Sequence, residues 1–113
     1  MADDLAVRVY HLTKSLPADE RFGLRMQLRR AAVSVAANIV EGCARGSTRE
    51  YAAFLNIAFG SAAETRYLLQ LSWRLKFLPE ADFASVDSAY DDLLAALQKL
   101  LQAVVRMPSR REP

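Results

Sequence analysis

Residues 80–107 read EADFASVDSAYDDLLAALQKLLQAVVRM. The large apolar residues of this stretch recur at alternating steps of three and four, at Phe83, Val86, Tyr90, Leu93, Leu97, Leu100, Val104 and Met107. This spacing lines one side of an α-helix and is typical of helices in left-handed bundles. The stretch therefore predicts a long helix that buries one seam. Because no extended run of alternating apolar and polar residues occurs elsewhere, we expect an all-α protein.

Glycine and proline divide the remaining sequence into further helices. Pro17, Gly42, Gly46 and Pro79 fall between the periodic stretches, where they mark turns. The predicted helices span about Asp3–Ser15, Asp19–Cys43, Ser47–Phe77 and Glu80–Met107. Short connections favour antiparallel neighbours, so we expect an antiparallel up-down-up-down four-helix bundle over residues 1–107, followed by a short basic tail at residues 108–113.

Local signals mark the predicted helix ends. Ser47, with Glu50 three residues later, has the spacing of a capping box at the start of the third helix. Gly42 or Gly46 can adopt the left-handed conformation that ends the second helix. Pro79 suits the first turn of the fourth helix, where its missing amide proton costs nothing.

Two predicted helices carry more apolar surface than a single bundle can bury. The second helix has one apolar arc with Phe22, Met26, Val33, Ala36, Ala37 and Val40, and an adjacent arc with Leu24, Leu28, Ala31, Ala32, Val35 and Ile39. Together they cover roughly two thirds of the helix, against a stripe of about 100° for an ordinary surface helix. The third helix is similar, and Gly60 within it is expected to permit close contact with another helix. We therefore expect a homo-oligomer, unless long arginine side chains cover the second arc.

Length and composition limit the class of protein. The 113 residues suit one domain with a single core. Cys43 is the only cysteine, so no internal disulfide can form. Residues 1–4 lack the basic and apolar character of a signal peptide, and no apolar run approaches the roughly 18 residues that span a bilayer. We expect a cytoplasmic protein without membrane contact.

Charge is distributed unevenly although the net charge is only +2. Residues 21–49 contain six arginines and one acidic residue, whereas residues 80–98 contain five acidic residues and no lysine or arginine. Either the two surfaces face each other within the molecule, or the basic surface meets phosphate. A helix N-terminus beside Arg45 and Arg49 would also favour anions. The candidate nucleic-acid-binding residues are Arg21, Arg25, Arg29, Arg30, Arg45 and Arg49.

Polar residues break the apolar pattern inside the second and third helices. One face of the second helix holds Arg30, Ser34, Asn38 and Glu41, and serine and asparagine are weak helix formers. The face is either solvated, or part of a structural or ligand-facing polar network that comprises Ser34, Asn38, Glu41, Ser61 and Glu64. Glu64 shares an arc with apolar residues, where a lone carboxylate needs a partner. We predict an ion pair with Arg29 rather than a catalytic carboxylate.

The residues of common catalytic and metal sites are missing. His11 is the only histidine, and the sequence contains no H-E-x-x-H, P-loop, G-x-G-x-x-G or C-x-x-C motif. We therefore expect no enzymatic activity, no catalytic residue, no metal and no cofactor. A metal-assisted nuclease that uses Glu41 and Glu64 is the least favoured alternative.

Four segments carry a resemblance to a known family. They read LTKSLP at residues 12–17, ERFGL at residues 20–24, QLRRAAVSVAANIVEG at residues 27–42 and FLNIAFGSAAE at residues 54–64. The chain resembles the four-helix-bundle proteins encoded in intervening sequences of bacterial 23S ribosomal RNA genes. It is more distantly similar to the accessory variability determinant of diversity-generating retroelements. Polar positions contribute to the match as well as apolar ones.

The resemblance implies an up-down-up-down bundle, a homopentamer around a central pore and no established enzymatic activity. The accessory relatives bind nucleic acid and a reverse transcriptase through basic surfaces. Our leading hypothesis is a non-enzymatic, pentameric protein whose arginine-rich face binds RNA or DNA, mainly through phosphates. The alternative is a scaffold for an unidentified protein partner, without nucleic-acid binding.

Overall fold

The computed structural model describes residues 1–20 and 23–107. Within these residues the chain forms four α-helices and no strands, which confirms the prediction of an all-α protein with four helices. The helices are α1 Ala2–Leu12, α2 Leu24–Cys43, α3 Thr48–Arg74 and α4 Glu80–Val105, with short 3-10 helices at Thr13–Ser15 and Ala18–Glu20. Arg21, Phe22 and the predicted tail at residues 108–113 lie outside the described residues.

The seam predicted for α4 lies in the hydrophobic core. Its buried members are Val86, Tyr90, Leu93, Leu97 and Val104. The other helices contribute fully buried side chains, among them Val9, Leu28, Val35, Leu55 and Leu69. Burying one side chain of this size contributes about 1.5–3 kcal/mol. Two later members of the seam, Leu100 and Met107, are exposed on either side of the buried Val104.

The helices pack side by side in an elongated molecule of 54 × 24 × 18 Å. α2 lies between α1 and α3, and α4 packs against α3 and α1. Along the contact between α2 and α3, residue numbers decrease on α2 as they increase on α3, so the two helices run in opposite directions. Gly42 lies against Tyr51 and Phe54, whereas Ser34 bonds to Ser61.

α1 ends at Leu12 and continues as a 3-10 helix to Ser15, where the prediction placed the helix end, and two further boundaries differ for local reasons. α2 begins at Leu24 rather than near Asp19, because Gly23 has φ −104° and ψ −107°, outside the helical region. α3 ends at Arg74 rather than near Phe77, because Lys76 adopts a left-handed conformation with φ 65°. The amides of Lys76 and Phe77 donate to carbonyl groups of the last turn at 2.8 and 2.9 Å, which completes a Schellman motif.

The helix caps follow the prediction only in part. The Ser47 hydroxyl accepts a hydrogen bond from the Glu50 amide at 3.1 Å, as in a capping box. The left-handed glycine predicted at the end of α2 is wrong, since neither Gly42 nor Gly46 has a positive φ. The chain turns there with right-handed residues. Pro79 is the N-cap of α4, one position before the predicted first turn.

One glycine lets two helices of the chain approach closely. A Cβ atom at Gly42 would lie 3.0 Å from both Phe54 Cβ and Tyr51 Cδ1. At Gly60, which is exposed, an added Cβ would meet no neighbouring side chain or other element of the described chain within 4 Å. The close contact expected at Gly60 is therefore absent from the described part of the chain, where Gly42 makes such a contact instead.

Candidate nucleic-acid and assembly surfaces

The two apolar arcs of α2 have different surroundings. Leu28 and Val35, from one arc, are fully buried. From the other arc, Met26, Val33 and Val40 are 47%, 44% and 69% exposed. The prediction that only one arc faces the core is confirmed. The alternative, in which arginine side chains cover the second arc, is wrong.

Two shallow apolar pockets lie along this exposed arc. Their volumes are about 440 and about 480 Å³, and Asp3, Ala36 and Val40 line both. Val33 and Ala37 complete the larger pocket together with Ala6 of α1. α1 and α2 therefore present a concave apolar surface to solvent.

Two of the candidate arginines hold the segment after α1 against α2. Arg25 Nη2 donates to the Leu16 carbonyl at 2.7 Å. Arg29 Nε donates to Thr13 Oγ1 at 2.8 Å, and its Nη2 donates to the Tyr10 carbonyl at 3.1 Å. The Arg29 guanidinium also lies 4.6 Å from the centre of the Tyr10 ring. Both side chains thus have structural roles within the chain.

Glu64 does not pair with Arg29, so the predicted ion pair is wrong. Its carboxylate is exposed, and in the described part of the chain it makes no hydrogen bond or ion pair. The reason is that its arc on α3 faces mainly outward: Ile57, in the same arc, is 51% exposed, and only Leu71 is half-buried. Spacing correctly grouped Glu64 with apolar neighbours, but this group lies outside the core.

Arg45 is engaged by acidic and aromatic neighbours. Its Nη2 forms a short ion pair with Glu41, and its Nε lies 3.9 Å from Glu50 Oε2. The guanidinium is also 5.0 Å from the centre of the Phe54 ring. These contacts close the turn between α2 and α3 and partly neutralise the arginine.

Arg30 and Arg49 are the candidate arginines that stay open to solvent. Both side chains are exposed, and neither has a hydrogen bond, ion pair or ring contact among residues 1–20 and 23–107. Arg30 lies on α2, and Arg49 lies in the first turn of α3. Arg21 is outside the described residues.

Three members of the predicted polar network meet between α2 and α3. The Ser34 and Ser61 hydroxyl groups are 2.9 Å apart. Asn38 Nδ2 donates to the Ser34 carbonyl at 2.8 Å and to its hydroxyl at 3.0 Å. The Ser34–Ser61 bond holds the axial position of α2 on α3, whereas the Asn38 bonds lie within α2 and orient Ser34. Glu41 and Glu64, the other predicted members, have separate surroundings.

Two acidic residues of α4, Asp87 and Asp91, pair with α3 rather than with the arginines on α2. Arg66 Nε bonds Asp87 at 3.0 Å, and its Nη1 bonds Asp91 at 2.9 Å. Gln70 also donates to Asp87 at 3.2 Å. These bonds lower the pKa of Asp87 and raise the pKa of Arg66. The alternative in which the acidic surface of residues 80–98 faces the basic surface of residues 21–49 is therefore wrong for the described residues. The reason is that α4 packs against α3 and α1 rather than α2.

Sequence reasoning missed Arg66 and the environment of Tyr90. The spacing of Asp87 and Asp91 by one helical turn was the available signal for a bridging cation. The Tyr90 hydroxyl is buried without a hydrogen-bond partner in the described chain, and this burial raises its pKa. Arg8, which donates to Ser85 at 2.7 Å, lines a nearby surface pocket of about 310 Å³.

The described residues also bear on metal-ligand clusters, the lone cysteine and membrane-spanning helices. No cluster of three or more His, Cys, Asp or Glu side chains with metal-binding geometry occurs among them. Cys43 is exposed, and its Sγ lies 3.8 Å from the Tyr51 hydroxyl. Among the same residues, no helix has the length and apolar character needed to cross a membrane.

Over its described residues, the chain is an all-α protein of four helices with an apolar outer surface, and Arg30 and Arg49 face solvent on it. A family model described as 23S rRNA-intervening sequence protein matches residues 1–99. The chain belongs to this family.

A solved structure supports the same assignment. It is a protein of unknown function from the S23 ribosomal protein family of Bacteroides thetaiotaomicron. The two chains share 28% sequence identity with a TM-score of 0.82, over 88% of this chain and 94% of the other. No functionally curated protein matches the chain.

Proposed function

We propose that this chain is a non-enzymatic, cytoplasmic protein that assembles into a homo-oligomer and binds RNA or DNA through solvent-facing arginines. In this proposal the subunit is an antiparallel up-down-up-down bundle, which the opposed numbering of the contacts between α2 and α3 supports. Five subunits is the number implied by the family resemblance.

Exposed apolar area supports the self-assembly. Val40, Ile57 and Tyr67 are 69%, 51% and 60% exposed, and shallow apolar pockets lie beside Val40. Clustered apolar surface of this kind usually marks an interaction site. Burying it between subunits would gain roughly 25 cal/mol for each Å² removed from water.

The segregation of charge is the observation that carries nucleic-acid binding. Asp87 and Asp91 of α4 bond to Arg66, and no acidic residue of the described chain pairs with Arg30 or Arg49. Arg49 stands at the helix N-terminus of α3, where the macrodipole adds positive potential. Guanidinium groups bind phosphate with two parallel hydrogen bonds, whereas the described chain presents no base-reading module. Recognition in this proposal depends on phosphate and on shape.

Salt-dependent binding to a labelled, structured RNA hairpin tests the nucleic-acid part. We expect binding at low salt. The logarithm of the association constant should fall linearly with the logarithm of the salt concentration. Arg49→Glu should weaken binding and reduce the salt slope by about one if Arg49 makes one phosphate contact. Lys99→Glu makes the same charge change on exposed α4 and should leave binding almost unaltered. Undetectable binding by the wild-type protein at low salt would refute this function.

A protein-binding scaffold is the second candidate, and the apolar pockets between α1 and α2 favour it. In that case the purified protein would not bind RNA, and the same protein partner would copurify before and after nuclease treatment. Loss of every copurifying protein on nuclease treatment would instead favour the nucleic-acid function.

A further inference from the structure

We infer that adjacent copies of this chain associate through two outer seams, one on α2 and one on α3, and that Arg30 of one copy pairs with Glu64 of the next. This inference rests on the proposed self-assembly and identifies its interface. The α2 seam comprises Met26, Arg30, Val33, Ala37 and Val40. The α3 seam comprises Ile57, Gly60, Glu64, Tyr67 and Leu71.

Both seams have the spacing of a helix–helix contact. Their residues follow one another at alternating steps of three and four, which is the pattern of interlocking side chains between paired helices. Leu71 is half-buried, and every other member is exposed. Each helix therefore presents an unpartnered contact surface in addition to the one that it uses in the core.

The two seams are complementary in charge. Each contains one charged residue, Arg30 on α2 and Glu64 on α3. Neither side chain has a hydrogen bond or ion pair among the described residues. A charge in an otherwise apolar contact is costly unless an opposite charge meets it. A second copy of this chain supplies that opposite charge.

The Ser34–Ser61 hydrogen bond sets the relative height of the two seams. Arg30 lies four residues from Ser34, which is about 6 Å along the helix, and Glu64 lies three residues from Ser61, about 4.5 Å. Because the α2–α3 contacts run in opposite directions, both displacements point towards the same end of the molecule. Rotation about an axis parallel to the helices keeps heights unchanged, so it brings Arg30 level with Glu64 of a neighbour.

The same geometry places the apolar members opposite one another. Ile57 lies about 6 Å from Ser61, and Ala37 lies about 4.5 Å from Ser34, both towards the other end. Ile57 of one copy is therefore level with Ala37 of the next. Ala37 lines the apolar pocket of about 480 Å³, which has room for an isoleucine side chain.

Gly60 supplies an independent indication of a close neighbour. Glycine inside a helix is destabilising relative to alanine, and a Cβ at this position would meet nothing of another element in the described chain within 4 Å. At the height of Gly60 a neighbouring α2 presents Val33 and Ala37. The missing side chain allows the two backbones to approach.

The contact joins two different surfaces, so each copy uses its α2 seam on one neighbour and its α3 seam on the other. Such heterologous contacts close into rings when the rotation permits. Arg30 then serves assembly rather than nucleic-acid binding, whereas Arg49 lies outside both seams.

Charge-exchange variants test the interface by light scattering after size exclusion at micromolar concentration. Arg30→Glu and Glu64→Arg should each reduce the mass of the assembly to the 12.6 kDa of one chain. The double variant should recover the wild-type mass. A pair formed within one chain would leave the mass of both single variants unchanged, which would overturn the inference.

Further variants separate this inference from the proposed function. Gly60→Leu should keep its helical circular dichroism but lose the assembly, and Arg49→Glu should keep the wild-type mass. A Gly60→Leu variant that retains the wild-type mass would contradict the interface. A wild-type chain of 12.6 kDa would refute self-assembly itself, whereas an assembled wild type with unaltered charge variants would refute only the interface.

Discussion

The contact between α3 and α4 and the outer surface of α2 and α3 contain similar residues in opposite situations. Between α3 and α4, Arg66 bonds Asp87 and Asp91, and the apolar seam of α4 is largely buried. On the outer surface, Arg30 and Glu64 are both exposed, with no ion pair in the described chain. The apolar side chains around them are also exposed.

The difference shows which apolar seams and charged side chains find partners within one chain and which do not. A single bundle can bury one seam for each helix and can pair the charges that flank those seams. α2 and α3 each have a second seam, which has no partner in the described chain. The inner contact should therefore govern the stability of the fold, and the outer surface should govern association.

The largest expected effect is the difference in stability between truncating a buried leucine and truncating an exposed one. Leu55→Ala on α3 should lower the free energy of unfolding by about 2–5 kcal/mol, since it leaves a cavity at a fully buried position. Leu75→Ala, at a position 50% exposed, should cost well under about 1 kcal/mol. Urea unfolding of both variants measures the difference, and equal midpoints would contradict the assignment of inner and outer surfaces.

The two helix glycines should respond in opposite directions to alanine. Gly42→Ala should destabilise the chain by about 1–2 kcal/mol, because its Cβ would crowd Phe54 and Tyr51 at 3.0 Å. Gly60→Ala should stabilise an isolated subunit by up to about 1 kcal/mol, since the position is open and alanine favours helix. Thermal unfolding at the lowest practical concentration limits the contribution of assembly. A stabilising Gly42→Ala would show that the close contact of α2 with α3 is absent.

Removal of one inner charge should have the smallest effect, with a distinct pH dependence. Asp87→Asn should cost about 1 kcal/mol at neutral pH, because it weakens the bond to Arg66. The pKa of Asp87 is lower in the folded chain than its ordinary 3.8, so its stabilisation is present above that value and disappears as the pH falls through the folded value.

The difference in free energy of unfolding between wild type and Asp87→Asn should therefore be smaller near pH 3 than at pH 7. Asp92→Asn, on the exposed face of the same helix, serves as the matched control and should show almost no difference from wild type. A difference in free energy of unfolding that grew in acid would contradict the lowered pKa of Asp87.

Patterns within one helix were predictable from the sequence. The spacing around Tyr90 predicted the buried seam of α4, and the two arcs of α2 separated into an inner and an outer surface as expected. Ser47 capped α3 as its spacing to Glu50 indicated. Such features depend on contacts between residues a few positions apart, which helical periodicity determines.

Features that depend on contacts between helices were not predictable. A helical wheel groups Glu64 with Ile57, but it cannot tell whether their arc faces the core, so the pair with Arg29 was wrong. Arg29 bonds Thr13 and Tyr10 through a turn whose course no spacing rule fixes. The left-handed conformation of Lys76 was also hidden, because that position usually holds glycine.

Cys43 gives this chain a labelling site of its own. It is the only cysteine in the sequence, its thiol is exposed, and it lies at the last residue of α2. A maleimide dye can therefore be attached at one defined place without an engineered residue. Two batches that carry different dyes, once mixed, would report the exchange of subunits in real time by energy transfer.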